Sequence, residues 1–225
     1  MEKVRENRKN KIESKKIKWE LLPLQFILAV LPLIMYVYVG TSGYSAYEWN
    51  SLNDVYVDVF LHGKMMVFMV LALVILVLAV YKTVKIRREN RKKALCNFIP
   101  LFVYAFFVIL ATICSVNMNY SLHGSMDAKE PFGVLAGYVI VAFYTYLVID
   151  SKDELMQVLP AAVFGGTCMA VLGVLQTIGK DPFGVEAVQH LFVSQEFIDT
   201  YGYLQLNFPV GQAYGTLFNP NYVGT

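Results

Sequence analysis

Asn219-Pro220-Asn221 stands in the stretch YGTLFNPNYVGT. Asparagine caps a helix by accepting from a backbone N–H that has no partner. Proline at the first helical position lacks an N–H that would be unpaired anyway. The triplet therefore predicts a helix amino end at Asn219. Such an end presents free N–H groups and partial positive charge, which suits a phosphate or pyrophosphate. The same residues also serve as a plain helix start. A second group lies in DVFLHGK, where Asp58 and His62 stand four apart with Lys64 beside them. That spacing puts the acid and the imidazole on one helical face. Together with the ammonium they suit contact with a charged carrier or a glycan. They equally suit the watery end of a membrane helix, where long side chains reach out to the interface.

The elements that must position these groups are apolar. Of 225 residues, 56% are hydrophobic, 14% aromatic and 16% charged, with a mean hydropathy of +0.49. A soluble domain carries about a quarter charged residues. The apolar residues gather at 19–39, 65–81 (entered from about Val55), 94–116, 132–149 and 159–178. Each run approaches the roughly 20 residues of one membrane-spanning helix, and none has Asp, Glu, Lys, Arg or His inside its apolar core. Pro23 and Pro32 in the first run are tolerable where neighbouring helices satisfy the freed backbone. The expected fold class is all-α: a polytopic integral membrane protein with five transmembrane helices plus the start of a sixth. Its parts are a basic tail (1–18), a five-helix region (19–178), an outer-face segment (179–215) and the sixth helix start (216–225).

Orientation follows from the basic residues, because Lys and Arg near helix ends stay in the cytoplasm. Residues 1–18 hold eight of them and KTVKIRRENRKK holds seven, whereas Lys64, Lys129 and Lys180 stand alone in their segments. The amino terminus is expected inside, and DSKDELMQV is an inner loop by parity. KTVKIRRENRKK reads as a membrane anchor, with anionic head groups as a further contact, and no nucleic-acid partner is expected. From Asp181 to Thr225 there is no Lys or Arg; Asp181, Glu186, Glu196, Asp199 and His190 are the ionisable side chains with acid or imidazole groups. EAVQHLFVSQEFI suits a short surface helix.

Two stripes concern packing. Gly133 and Gly137 lie four apart in the fourth run, and Ala162, Gly166, Ala170 and Gly173 recur at four, four and three in the fifth. Small residues on one face let membrane helices approach closely. Cys96, Cys114 and Cys168 have no metal or disulfide spacing and read as small apolar residues in the interior.

YGTLFNPNYVGT resembles the signature of the O-antigen ligase and O-antigen polymerase superfamily, a Gly-Thr-x-x-Asn-Pro-Asn-Tyr stretch opening a middle membrane helix. Gly215, Thr216, Asn219, Pro220, Asn221 and Tyr222 match it. Relatives often carry a basic residue shortly before Gly-Thr, where Gln212 and Ala213 stand in this chain. The resemblance implies an enzyme of the bacterial cytoplasmic (inner) membrane. It would move glycan from an undecaprenyl-pyrophosphate carrier in cell-envelope polysaccharide synthesis, without metal or other cofactor. It adds Thr216 and Asn221 to Asn219 as carrier-binding residues. KEPFG resembles a patch that some members carry before a helix, in which Lys129 would meet a phosphate and Glu130 would orient it; as bare residues the two are simply loop charges.

The family's catalytic Arg and His lie mainly in a large outer loop later in the chain, which this sequence does not contain. The expectation is therefore an amino-terminal fragment of such a glycosyltransferase-like protein, ending inside the sixth helix and supplying carrier-binding residues. Its partners would be membrane lipids, the carrier-linked glycan and components of envelope assembly. The alternatives are a polysaccharide or lipid-carrier flippase and a non-catalytic membrane subunit. Transporters place their site near the bilayer midplane with polar groups in the spans, whereas these cores are free of charge.

Overall fold

A computed structural model of the chain describes residues 18–41, 55–86, 88–124, 130–206, 208–209 and 211–217. Asn219, Asn221 and Lys129 lie outside the described residues.

The first apolar run does not form one helix. A 3-10 turn at Trp19–Leu21 leads into α1 (Leu22–Ala29), and a second turn at Leu31–Leu33 ends it. Pro32 has no N–H to continue the ladder, and the β-branched and aromatic residues beyond favour extended chain. They form β1 (Tyr38–Thr41), which pairs antiparallel with β2 (Val55–Asp58), Tyr38 opposite Asp58 and Val39 opposite Val57. The all-α expectation thus gains a small two-stranded sheet.

The second helix, α2 (His62–Lys85), starts at His62 and not near Val55. Asp58 Oδ1 accepts from the N–H groups of Phe60 (2.9 Å) and Leu61 (2.8 Å) and turns the chain out of β2. Asp58 therefore shares no helical face with His62. The third run divides into α3 (Arg88–Asn97) and α4 (Ile99–Ile113), bent by 58°. Pro100 sits at the break, lacks an N–H and restricts Ile99. A short α5 (Met118–His123) follows, then α6 (Phe132–Val148) and α7 (Lys152–Thr177).

The α7 helix begins inside DSKDELMQV, which reads as a loop in sequence. Ser151 and Glu154 form a reciprocal capping box there, each satisfying an orphan N–H of the first turn. The segment expected at the outer face folds as a 3-10 turn (Pro182–Gly184), α8 (Glu186–Gln189) and α9 (Gln195–Tyr201), two short helices in place of one.

Among the described residues, α2 and α7 are long and apolar enough to cross a membrane, and the α3–α4 pair makes up to three if it is one span. Trp19–Leu33 and α6 are shorter apolar helices. The α6 helix packs between α2 and α4, and α1 packs on α7. Gly133 and Gly137 face α2 as their spacing predicts: a Cβ on Gly137 would lie 2.6 Å from the Phe68 ring and 3.2 Å from Ala72. In α7 the close approach falls at Gly165, where a Cβ would lie 2.2 Å from the Leu28 carbonyl oxygen, while Gly166 has nothing within 4 Å. Cys96 and Cys114 are exposed and Cys168 is half-buried, so none is an interior residue.

Two cores lie at opposite ends of the helices. One gathers Leu21, Leu24, Ile75, Tyr144 and Val158, beside the ion pairs Lys82–Glu20 (2.6 Å) and Lys18–Glu154. The other gathers Val37, Phe60, Phe183, Phe192, Phe197 and Tyr214.

Candidate functional site

The second core surrounds the Tyr214-Gly215-Thr216 stretch, all three residues of which are buried. One side chain holds the backbone of Tyr214 and Gly215. Gln176, in the last turn of α7, accepts through Oε1 from the N–H of Tyr214 (3.1 Å) and of Gly215 (2.7 Å). Its Nε2 donates to the Gly215 carbonyl at 3.3 Å. A single primary amide thus supplies the backbone partners that this buried turn needs.

Asp181 completes the clamp. It accepts from the Tyr214 hydroxyl and, at 3.1 Å, from the N–H of Phe183. The Tyr214 ring stacks on Phe208 at a centroid distance of 3.8 Å. Burial first, and the Asp181 bond second, push the Tyr214 phenol well above its ordinary value of 10.0.

Thr216 points inward as well. Its hydroxyl donates to the Pro32 carbonyl, which the second 3-10 turn leaves open, and lies 3.4 Å from Met169 Sδ. Its carbonyl accepts from Lys64 Nζ at 2.5 Å, and the same ammonium donates to the Phe60 carbonyl at 2.9 Å. Two of its three N–H bonds are committed.

Lys64 stands at one end of a groove of about 590 Å³ between the α1 end, α2 and α6. Ile27, Met65, Phe68, Val134 and Val141 make its walls apolar, and Glu130, Tyr138 and Leu217 share its lining. No family model matches the chain, and no curated protein or solved structure does so either.

The fold thus brings Lys64 and Glu130 to one groove and ties Thr216 to it through the ammonium. His62 is not among the groove's lining residues; its imidazole stacks on Tyr38 with centroids 3.6 Å apart and planes 5° apart. Three residues that sequence reasoning passed over hold the site: Gln176, Asp181 and Tyr214. Gln176 carries a readable signal, as the one amide in the apolar run LPAAVFGGTCMAVLGVLQTI.

Proposed function

We propose that the chain is an integral membrane protein whose groove binds a polyisoprenoid-phosphate carrier at the outer face of a bacterial inner membrane. In this reading it contributes the carrier-binding part of an O-antigen ligase-like glycan transferase or polymerase, as a five-span chain with its amino terminus in the cytoplasm.

One observation carries the reading: an apolar groove with an ammonium group at one end. Such a groove matches a ligand with a long hydrocarbon tail and an anionic head. Lys64 keeps one N–H for a phosphate oxygen, and charge-assisted bonds of that kind are among the stronger ones. Glu130 accepts hydrogen bonds only, so it would meet a hydroxyl of the glycan and not the phosphate. Exposed apolar side chains support the membrane reading: Val70, Leu73 and Val77 on α2, and Phe106, Phe107 and Ile113 on α4, are each more than half exposed. On a water-soluble surface such faces would drive association.

The test is binding of farnesyl pyrophosphate to the full chain in lipid nanodiscs, read by native mass spectrometry. Val134→Trp fills the groove, and Lys64→Met removes the ammonium; each should weaken binding about tenfold or more, which corresponds to about 1.4 kcal/mol. A Val134→Trp protein that melts like the parent and binds the probe equally well would remove the groove from this role.

A further inference from the structure

Thr216 and Gln176 stand behind the groove of Lys64. Neither is among its lining residues, and they are only 1% and 4% exposed. A ligand in the groove therefore reaches neither side chain. Both are nevertheless joined through hydrogen bonds to the ammonium at the groove's end. We propose that Thr216 and Gln176 are positioning residues, which set the groove's preference for a phosphorylated ligand by fixing the Lys64 ammonium. The proposal rests on the reading that the groove takes an isoprenoid phosphate.

A lysine ammonium sits on a flexible four-carbon stem. Left free, it must be ordered when an anion binds, and that ordering lowers affinity. In this fold it is ordered beforehand. It donates to the Phe60 carbonyl at 2.9 Å and to the Thr216 carbonyl at 2.5 Å. The first acceptor lies four positions away, in the turn that precedes α2, and ties the ammonium to its own helix start. The second comes from 152 positions away. It fixes where the ammonium stands relative to Leu217, the next residue in the chain and a lining residue of the groove.

The Thr216 carbonyl meets Lys64 only while the backbone before it keeps its path. Gln176 holds that path on one side, accepting from the N–H of Tyr214 and of Gly215 and donating to the Gly215 carbonyl. Gly215 turns there with φ of 56°. On the other side the Thr216 hydroxyl donates to the Pro32 carbonyl. The peptide unit between Gly215 and Thr216 is thus held from both ends. The Thr216 hydroxyl is committed inside the protein, so its carbonyl is the atom that acts on the groove. Thr216 serves a carrier at one remove, through Lys64, and not as a direct ligand.

Farnesyl pyrophosphate and farnesol share a tail and differ in the head. Their affinities for the full chain in lipid nanodiscs, read by native mass spectrometry, give the head-group preference as a ratio. The parent should prefer the pyrophosphate, and Lys64→Met should remove most of that preference. Thr216→Val keeps the side-chain shape without the hydroxyl, and Gln176→Leu removes the clamp. Each should cut the preference about fivefold, the scale of ordering one long side chain, and leave farnesol affinity unchanged. Thr216→Ser restores the hydroxyl and should recover the preference lost in Thr216→Val. Where Gln176→Leu does not fold, the two Thr216 variants decide. A parent without pyrophosphate preference would remove the carrier reading itself and this inference with it. A parent whose preference is lost in Lys64→Met but kept in Thr216→Val would overturn this inference alone. So would an equal fall in both affinities, which marks a merely structural role.

Discussion

The side-chain oxygen of Gln176 lies 2.7 Å from the backbone nitrogen of Gly215, joining the end of α7 to a segment 39 positions further on. Gly215 has φ of 56°, a left-handed conformation that glycine adopts without a Cβ penalty. The bond and the glycine together orient Thr216 toward Pro32 and its carbonyl toward Lys64. The mouth of the Lys64 groove is thus built by contacts between α7, the first 3-10 segments and the start of α2.

Gln176→Leu should strip two buried N–H groups of their acceptor. Leaving a buried donor unsatisfied costs about 1–3 kcal/mol. A clear fall in melting temperature in detergent is expected, with loss of protection from hydrogen exchange at Tyr214 and Gly215. Unchanged exchange at those two amides would mean that the clamp does not hold the segment.

Gly165→Ala and Gly166→Ala should part sharply. The first puts a methyl group 2.2 Å from the Leu28 carbonyl oxygen, and the second puts one in open space. Overpacking of this kind costs about 1–3 kcal/mol. Gly165→Ala should therefore lower stability while Gly166→Ala leaves it unchanged or slightly raised, as alanine favours helix. Equal effects would show that α1 does not approach α7 at this point.

Alkaline pH should loosen the clamp. The Tyr214 phenol is raised above its ordinary value of 10.0 in the folded chain. Its protonated form is thus favoured by folding, a contribution fully present below pH 10 and lost as pH rises through the folded value. Stability measured between pH 9 and 11.5 should decline, and Tyr214→Phe should flatten that decline while lowering stability at neutral pH. A decline of equal slope in the variant would assign it to other tyrosines.

Orientation is accessible to labelling. Asn90 on α3 and Gln195 on α9 are both exposed. In a background with Cys96, Cys114 and Cys168 replaced by alanine, a membrane-impermeant maleimide applied outside intact cells should label Gln195→Cys and spare Asn90→Cys. The reverse pattern would invert the proposed topology.

The helical runs and the Gly133–Gly137 stripe are legible in sequence because they rest on composition and on a spacing internal to one helix. Other features depend on partners distant in the chain. Gly165 and Gly166 are neighbours about 100° apart around α7, and only the position of α1 decides which of them faces it. Asp58 fits a four-residue helical spacing to His62, but the period-two pattern of Val55, Val57 and Val59 wins, and the acid instead holds the turn at Phe60 and Leu61 that precedes the helix. Gln176 is visible as an amide in an apolar run, yet its role requires the Gly215 backbone. Of the candidate site, Lys64 is readable as a lone cation at a helix end; its bond to Thr216, 152 positions away, is not.

The helices described above are unequal, and their lengths bear on the lipid around them. The α2 and α7 helices have 24 and 26 residues, about 36 and 39 Å at the α-helical rise. The α6 helix has 17 residues, or about 26 Å, and the segment Trp19–Leu33 is shorter still. Against a hydrocarbon layer of about 30 Å, the long helices must tilt and the short ones must draw the bilayer inward. On the proposed spanning arrangement, the leaflet beside α1 and α6 is therefore dimpled. Acyl-chain length should then act on this protein as a ligand would, with thin bilayers favouring the native packing and thick ones straining it. The proposed carrier groove lies between those two short helices and α2, so on that proposal a dimple there would lower the distance a pyrophosphate head must rise to leave the headgroup region.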